Sequence, residues 1–103
     1  MEFPDEIVLE ITKKDTEIGL QGDCSKCPTA LALWRLYPDL EDMLVDYLTI
    51  SLAEGNDNYM VYLPSKDLTV EMHLFDSSPS NWVNFRPGKY TLKLSKIVNT
   101  EGR

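Results

Sequence analysis

Two prolines bracket the segment whose structure its own residues dictate most tightly, "CPTALALWRLYPD" at 27–39. A proline at the first helical position gives up no hydrogen bond, because the N–H there has no intrahelical acceptor; a proline ten residues on cannot continue the helix. The spacing therefore predicts a helix over 28–37, with Cys27 at its N-cap and Pro38 as its stop. Ala30, Leu31, Trp34 and Tyr37 share one face, and Leu33 and Leu36 widen it. That leaves Thr29, Ala32 and Arg35 for solvent.

An amphipathic helix needs a surface to cover, and the flanking segments read as strands. In "EIVLEIT" at 6–12, Ile7, Leu9 and Ile11 alternate with polar neighbours, the period of a half-buried strand. "KKDTEIGLQGD" at 13–23 is polar, contains Gly19 and Gly22, and reads as a loop tethered by Leu20. The stretch "DLEDMLVDYLTISLAE" satisfies both periods, and the β-branched and aromatic residues that thicken after Val45 predict a short helical turn at 39–43 followed by a strand at 45–53. "EGNDN" is turn chemistry, so the strand at 45–53 and "YMVYL" at 59–63 form a hairpin. "LTVEMHLF" at 68–75 also satisfies both periods, and its propensity leans to strand. "SSPSN" at 77–81 is a loop, "GKYTLKL" at 88–94 is a closing strand, and "NTEGR" is a frayed tail.

The expected architecture is α+β: one small domain over 1–103 with an antiparallel sheet of about four strands and two helices on one face. Its order is strand, helix, strand, strand, helix, strand, which the split βαβ arrangement permits. With 43% hydrophobic and 26% charged residues the chain belongs with folded domains, not with disordered ones. No apolar run is long enough for a membrane span, and the N-terminus carries acid where a signal peptide carries Lys or Arg; a cytoplasmic setting without membrane contact is expected. The net charge of −7 with scattered basic residues argues against direct nucleic-acid binding; an acidic balance favours solubility, or a basic protein partner. Asp39, Glu41, Asp42 and Asp46 would suit a DNA-mimicking inhibitor of a nucleic-acid-binding protein if they stood in a row on one face.

The chemistry rests on Cys24 and Cys27, three apart before a helix start. A helix N-terminus lowers a nearby thiol pKa, and Lys26 would add to this, so thiol redox work is one reading. Against it, eleven residues separate Thr12 from Cys24, where thioredoxin-like sites follow their first strand closely. A zinc site is another reading, but Cys24, Cys27 and the distant His73 fall short of four ligands unless Asp23 joins or a dimer shares the thiols. The preferred reading makes Cys27 a capping and packing residue and Cys24 a partly exposed thiol, with no cofactor, no metal and no catalytic residue assigned. On that reading Cys27→Ser lowers stability. Trp82, Phe85 and Arg86, beside Pro79 and Pro87, are candidates for an exposed partner-binding patch; the alternative is that the rings close one end of the core.

"GDCSKCPTALAL", then "YLPS", "LFD" and a proline before the last strand together resemble a family of small, mostly uncharacterised bacteriophage and prophage proteins with a "CPxALAL" helix start. The resemblance is specific over 22–33. It implies that the "LP" to "FD" segment is helical, so a helix at 66–75 is expected despite the alternation. It transfers no activity. The expected function is that of a small acidic accessory protein of phage or prophage type that binds a protein partner without catalysis.

Overall fold

The computed structural model describes residues 3–23, 25–53, 58–77 and 85–99. The chain is α+β, with five strands and three helices among the described residues: β1 (Glu6–Ile11), α1 (Lys13–Ile18), α2 (Pro28–Leu36), β2 (Asp42–Val45), β3 (Ile50–Ala53), β4 (Asn58–Pro64), α3 (Lys66–Ser77) and β5 (Gly88–Asn99). One sheet in the order β1-β5-β4-β3-β2 contains every strand, and each neighbouring pair is antiparallel. In a split βαβ unit the helix joins two parallel strands that have another strand between them; α3 instead joins β4 and β5, which are adjacent and antiparallel, so that arrangement is not adopted.

Alternation sets the faces. Ile7, Leu9 and Ile11 of β1, Ile50 and Leu52 of β3, Met60 and Tyr62 of β4, and Tyr90 and Leu92 of β5 join one core cluster with residues of α2 and α3. The other side of the sheet is uncovered: Val8, Leu44 and Leu63 are exposed there, and Glu6 and Glu10 stand opposite Lys93 and Lys89. Tyr62 is fully buried, and its hydroxyl donates to the Pro4 carbonyl at 2.6 Å. Burial pushes that phenol up to about 12.

Helix α3 forms where the two periods competed. Leu68, Met72 and Phe75 are buried at helical spacing, each worth about 1.5–3 kcal/mol, while Val70 of the alternating set stays exposed. Ser65 starts the helix by accepting from the Leu68 N–H at 3.3 Å.

Three further expectations are corrected. The first concerns residues 39–53, which form no helical turn and no continuous strand. They are two strands joined at 46–49, where the Asp46 N–H donates to the Thr49 carbonyl at 2.9 Å and Val45 pairs with Ile50. Tyr47 holds this turn against α3: its ring stacks on His73 with centroids 3.8 Å apart, and Thr69 Oγ1 donates to its carbonyl at 2.9 Å. Tertiary contacts outweigh the local alternation here.

The second is the polar stretch after β1, which contains a helix. Thr12 and Asp15 form a capping box, each side chain accepting the other's backbone N–H, and Leu20 ties the segment down through its N–H, which donates to the Lys26 carbonyl at 2.9 Å, while its side chain is half exposed. The third correction follows from it. With α1 packed on α2 and the β2–β3 turn and α3 at its entrance, Thr29 and Ala32 are buried rather than solvent-facing, and Leu36 is 47% exposed. Arg35 reaches over α1 to grip Asp15 with two hydrogen bonds, of 2.8 and 2.9 Å.

The helix at 66–75 is borne out with an extension to Ser77, and the β3–β4 hairpin and the closing strand β5 form as expected. Most of the expected loop at 77–81 and of the frayed tail lies outside the described residues. No helix among the described residues is long and apolar enough to cross a membrane.

Candidate functional site

The entrance of α2 is where several elements converge. Cys27 is the N-cap: its extended backbone turns into the helix, and its Sγ accepts from the Ala30 N–H at 3.5 Å. Pro28 follows at the first helical position. The approach to it is held by Asp23, whose Oδ1 accepts from the Ser25 N–H at 2.9 Å and the Ser25 hydroxyl at 3.0 Å. The Ser25 N–H beside that carboxylate lowers its pKa below the ordinary range. Trp34 closes the same turn by donating from Nε1 to the Ser25 carbonyl at 3.1 Å.

Two glycines let the chain come this close. A Cβ on Gly19 would lie 2.6 Å from Pro28 Cδ, so no larger residue fits between the end of α1 and the start of α2. Gly22 adopts φ 68°, the left-handed region that favours glycine, and its N–H donates to Asp76 Oδ1 at 3.1 Å. Beside it, Gln21 Nε2 donates to the Phe75 carbonyl at 2.6 Å. These bonds fasten the segment before α2 to the end of α3. The Tyr47 hydroxyl donates to the other oxygen of Asp76 at 2.5 Å, which brings the β2–β3 turn to the same place.

Between these three pieces lies a cavity of about 170 Å³. Pro28, Val45, Met72, Phe75 and Phe85 contribute its apolar wall, and Asp23, Asp46 and Asp76 bring three carboxylates to it, with no basic side chain lining it among the described residues. Thr29 is part of the wall. It is fully buried, and its Oγ1 has no hydrogen-bond partner among the described residues, the one such buried side-chain atom there. A buried hydroxyl left in this condition costs free energy that nearly every native polar group avoids.

The expected site residues are distributed as follows. Cys27 is half-buried in the wall of this cavity, whereas Cys24 lies outside the described residues. Trp82 also lies outside them. Phe85 is 5% exposed and meets Phe75 and Tyr90 edge-on, with centroids 6.0 and 6.1 Å away, so its ring belongs to the core and the cavity wall and not to an exposed patch. Arg86 is exposed, and its N–H donates to Glu71 Oε1 at 2.7 Å. That bond uses Glu71 where an apolar residue would otherwise suit the helix face. His73 is stacked on Tyr47. No three His, Cys, Asp or Glu side chains among the described residues come together as metal ligands. Asp42 is exposed beside Leu44 on the uncovered side of β2, whereas Asp46 lines the cavity, so these two acids of the expected row serve different surfaces.

Neither a protein-family model, nor a curated protein, nor a solved structure matches the chain.

Sequence reasoning missed Thr29, Tyr47, Met72 and Asp76 as residues of this site. The apolar stripe of α2 by itself points Thr29 to solvent, because the partners that bury it come from distant segments. Tyr47 and Asp76 are 29 residues apart and meet only through the fold.

Proposed function

We propose that this is a non-catalytic binding domain that captures a protein partner at the entrance of α2, consistent with the phage or prophage accessory type that its helix start resembles. An apolar side chain of the partner enters the cavity, and Lys or Arg residues flanking it meet the carboxylates of Asp23, Asp46 and Asp76. The observation that carries this reading is the cavity itself. It has the size of one side chain, its wall is largely apolar, and among the described residues that line it the acids Asp23, Asp46 and Asp76 have no basic side chain beside them. Such a site favours a basic partner through steering and through penalties on acidic competitors.

The test is titration with hexapeptides that carry a single Phe, Leu or Tyr flanked by Lys and Arg, compared with the same residue flanked by Glu. Saturable shifts of the Thr29, Tyr47 and Asp76 amide resonances are expected with the basic series. The acidic series binds about tenfold more weakly, and the gap narrows as salt screens the exposed charges. Asp46→Asn, at an exposed position, reduces the preference for the basic series. Equal affinity for both series would remove the proposal.

A further inference from the structure

We propose that the anchor received by the cavity is a hydroxyl-bearing aromatic ring, a tyrosine-type phenol, and that Thr29 is the residue that selects it. The inference rests on the cavity being the recognition site proposed above, and it adds the chemistry of the buried end of the ligand.

Size is the first consideration. An apolar cavity of roughly 150 Å³ is enough to hold benzene. The cavity at α2 is about 170 Å³, which suits one ring and a further heavy atom. Phe75 and Phe85 already stand edge-on to one another in its wall, the arrangement that aromatic rings prefer, so a third ring finds the same kind of neighbour.

The polar group is the second. Thr29 Oγ1 is buried without a partner, and a purely apolar ligand would leave it so. A charged tip is disfavoured at depth because desolvating an ion costs far more than one neutral hydrogen bond returns. A phenol avoids both penalties, since its hydroxyl can donate to Thr29 or accept from it. Cationic character then belongs at the carboxylate-lined mouth, and a neutral donor and acceptor at the wall. Sites that hydrogen-bond a ligand hydroxyl discriminate strongly against the analogue lacking it, because their own polar group is otherwise left unpaired.

The experiment uses phenol and toluene, two rings differing in that hydroxyl, titrated against the full chain and followed at the Thr29, Tyr47 and Asp76 amides. The expected result is that Thr29→Val weakens phenol by about tenfold while toluene binds as well as before or better, whereas Thr29→Ser keeps the phenol preference. Circular dichroism and urea unfolding establish that each variant is folded. Loss of both ligands to the same extent in Thr29→Val overturns the inference while leaving the cavity as a binding site. Failure of both rings to shift the cavity amides in the unaltered protein overturns both readings.

Discussion

Helix α2 buries a polar side chain on each of two flanks, and the two have opposite fates. Near its C-terminal end, the Asp15 carboxylate of α1 is 3% exposed and every part of it is used: Arg35 bonds both oxygens, and the Thr12 N–H bonds one of them at 2.9 Å. Near its N-terminal end, Thr29 is as deeply buried and its hydroxyl is unused. The more costly group to bury is the satisfied one. The flank with Asp15 is therefore built for folding, and the flank with Thr29 tolerates a deficit beside a cavity. Proteins accept such deficits where a ligand or a motion repays them.

The largest effect should come from breaking the satisfied side. Arg35→Ala leaves a buried carboxylate with only the Thr12 cap. Full burial of such a pair would make the loss about 3–5 kcal/mol, but Arg35 is half exposed, so about 2 kcal/mol is expected from urea unfolding at neutral pH. The pH dependence sharpens this. Burial alone would raise the Asp15 pKa, but the Arg35 hydrogen bonds and the Thr12 N–H and hydroxyl together lower it below the ordinary value. A depressed carboxyl stabilises the fold above its unfolded pKa, about 4, and that contribution disappears as pH falls through the lower folded value. The unaltered protein should lose stability between neutral and strongly acid pH, and the Arg35→Ala variant should lose less. Asp23 is also depressed, but it is common to both proteins and cancels in the difference. Parallel acid limbs would show that Arg35 does not hold the carboxylate ionised.

The unsatisfied side should respond in the opposite direction. Thr29→Val keeps the shape of the side chain and removes the orphaned hydroxyl, so it is expected to stabilise the protein without ligand by about 1 kcal/mol. A loss of stability would mean that the hydroxyl has a partner after all, and the contrast between the flanks of α2 would collapse. Together with Arg35→Ala the variant also tests independence. The two sites share no hydrogen bond, so their effects should add to within about 0.5 kcal/mol.

Much of the scaffold was legible because it is written in apolar periodicity. Ile7, Leu9 and Ile11 announce β1, and the proline bracket announces α2. Helix α1 escaped that reading because the residues it buries are Asp15 and Thr16, which carry no apolar signal; only the Thr12 and Asp15 spacing of the capping box points to it. The turn at 46–49 escaped for a different reason. Its anchor is the contact of Tyr47 with His73 and Asp76, and nothing local distinguishes Tyr47 from a strand residue. The candidate site inherits both blind spots. Cys27 and Phe85 were visible as residues of interest, but the cavity between them is a product of the turn that brings Tyr47 over α3 and of the end of α3 that meets the entrance of α2, where Thr29 is buried.

The smallest expected effect concerns Cys27, and it revises the expectation that Cys27→Ser lowers stability. A fully buried thiol replaced by a hydroxyl would lose transfer free energy and strand a polar group. Cys27 is half-buried, however, and its structural duty is to accept the Ala30 N–H, for which sulfur is a weak acceptor and serine is among the preferred residues. The gain at the cap and the loss in the cavity wall should nearly offset, leaving a change within about 0.5 kcal/mol in urea unfolding, whereas Cys27→Ala, which has no acceptor at all, should cost about 1 kcal/mol. If serine costs as much as alanine, the sulfur is held by its apolar contacts. The polar deficit at the α2 entrance then ends at Thr29, and a phenol should bind Cys27→Ser as weakly as the wall damage predicts. If serine is neutral, the entrance is a polar turn that tolerates a second hydroxyl, and phenol affinity should survive the exchange unchanged.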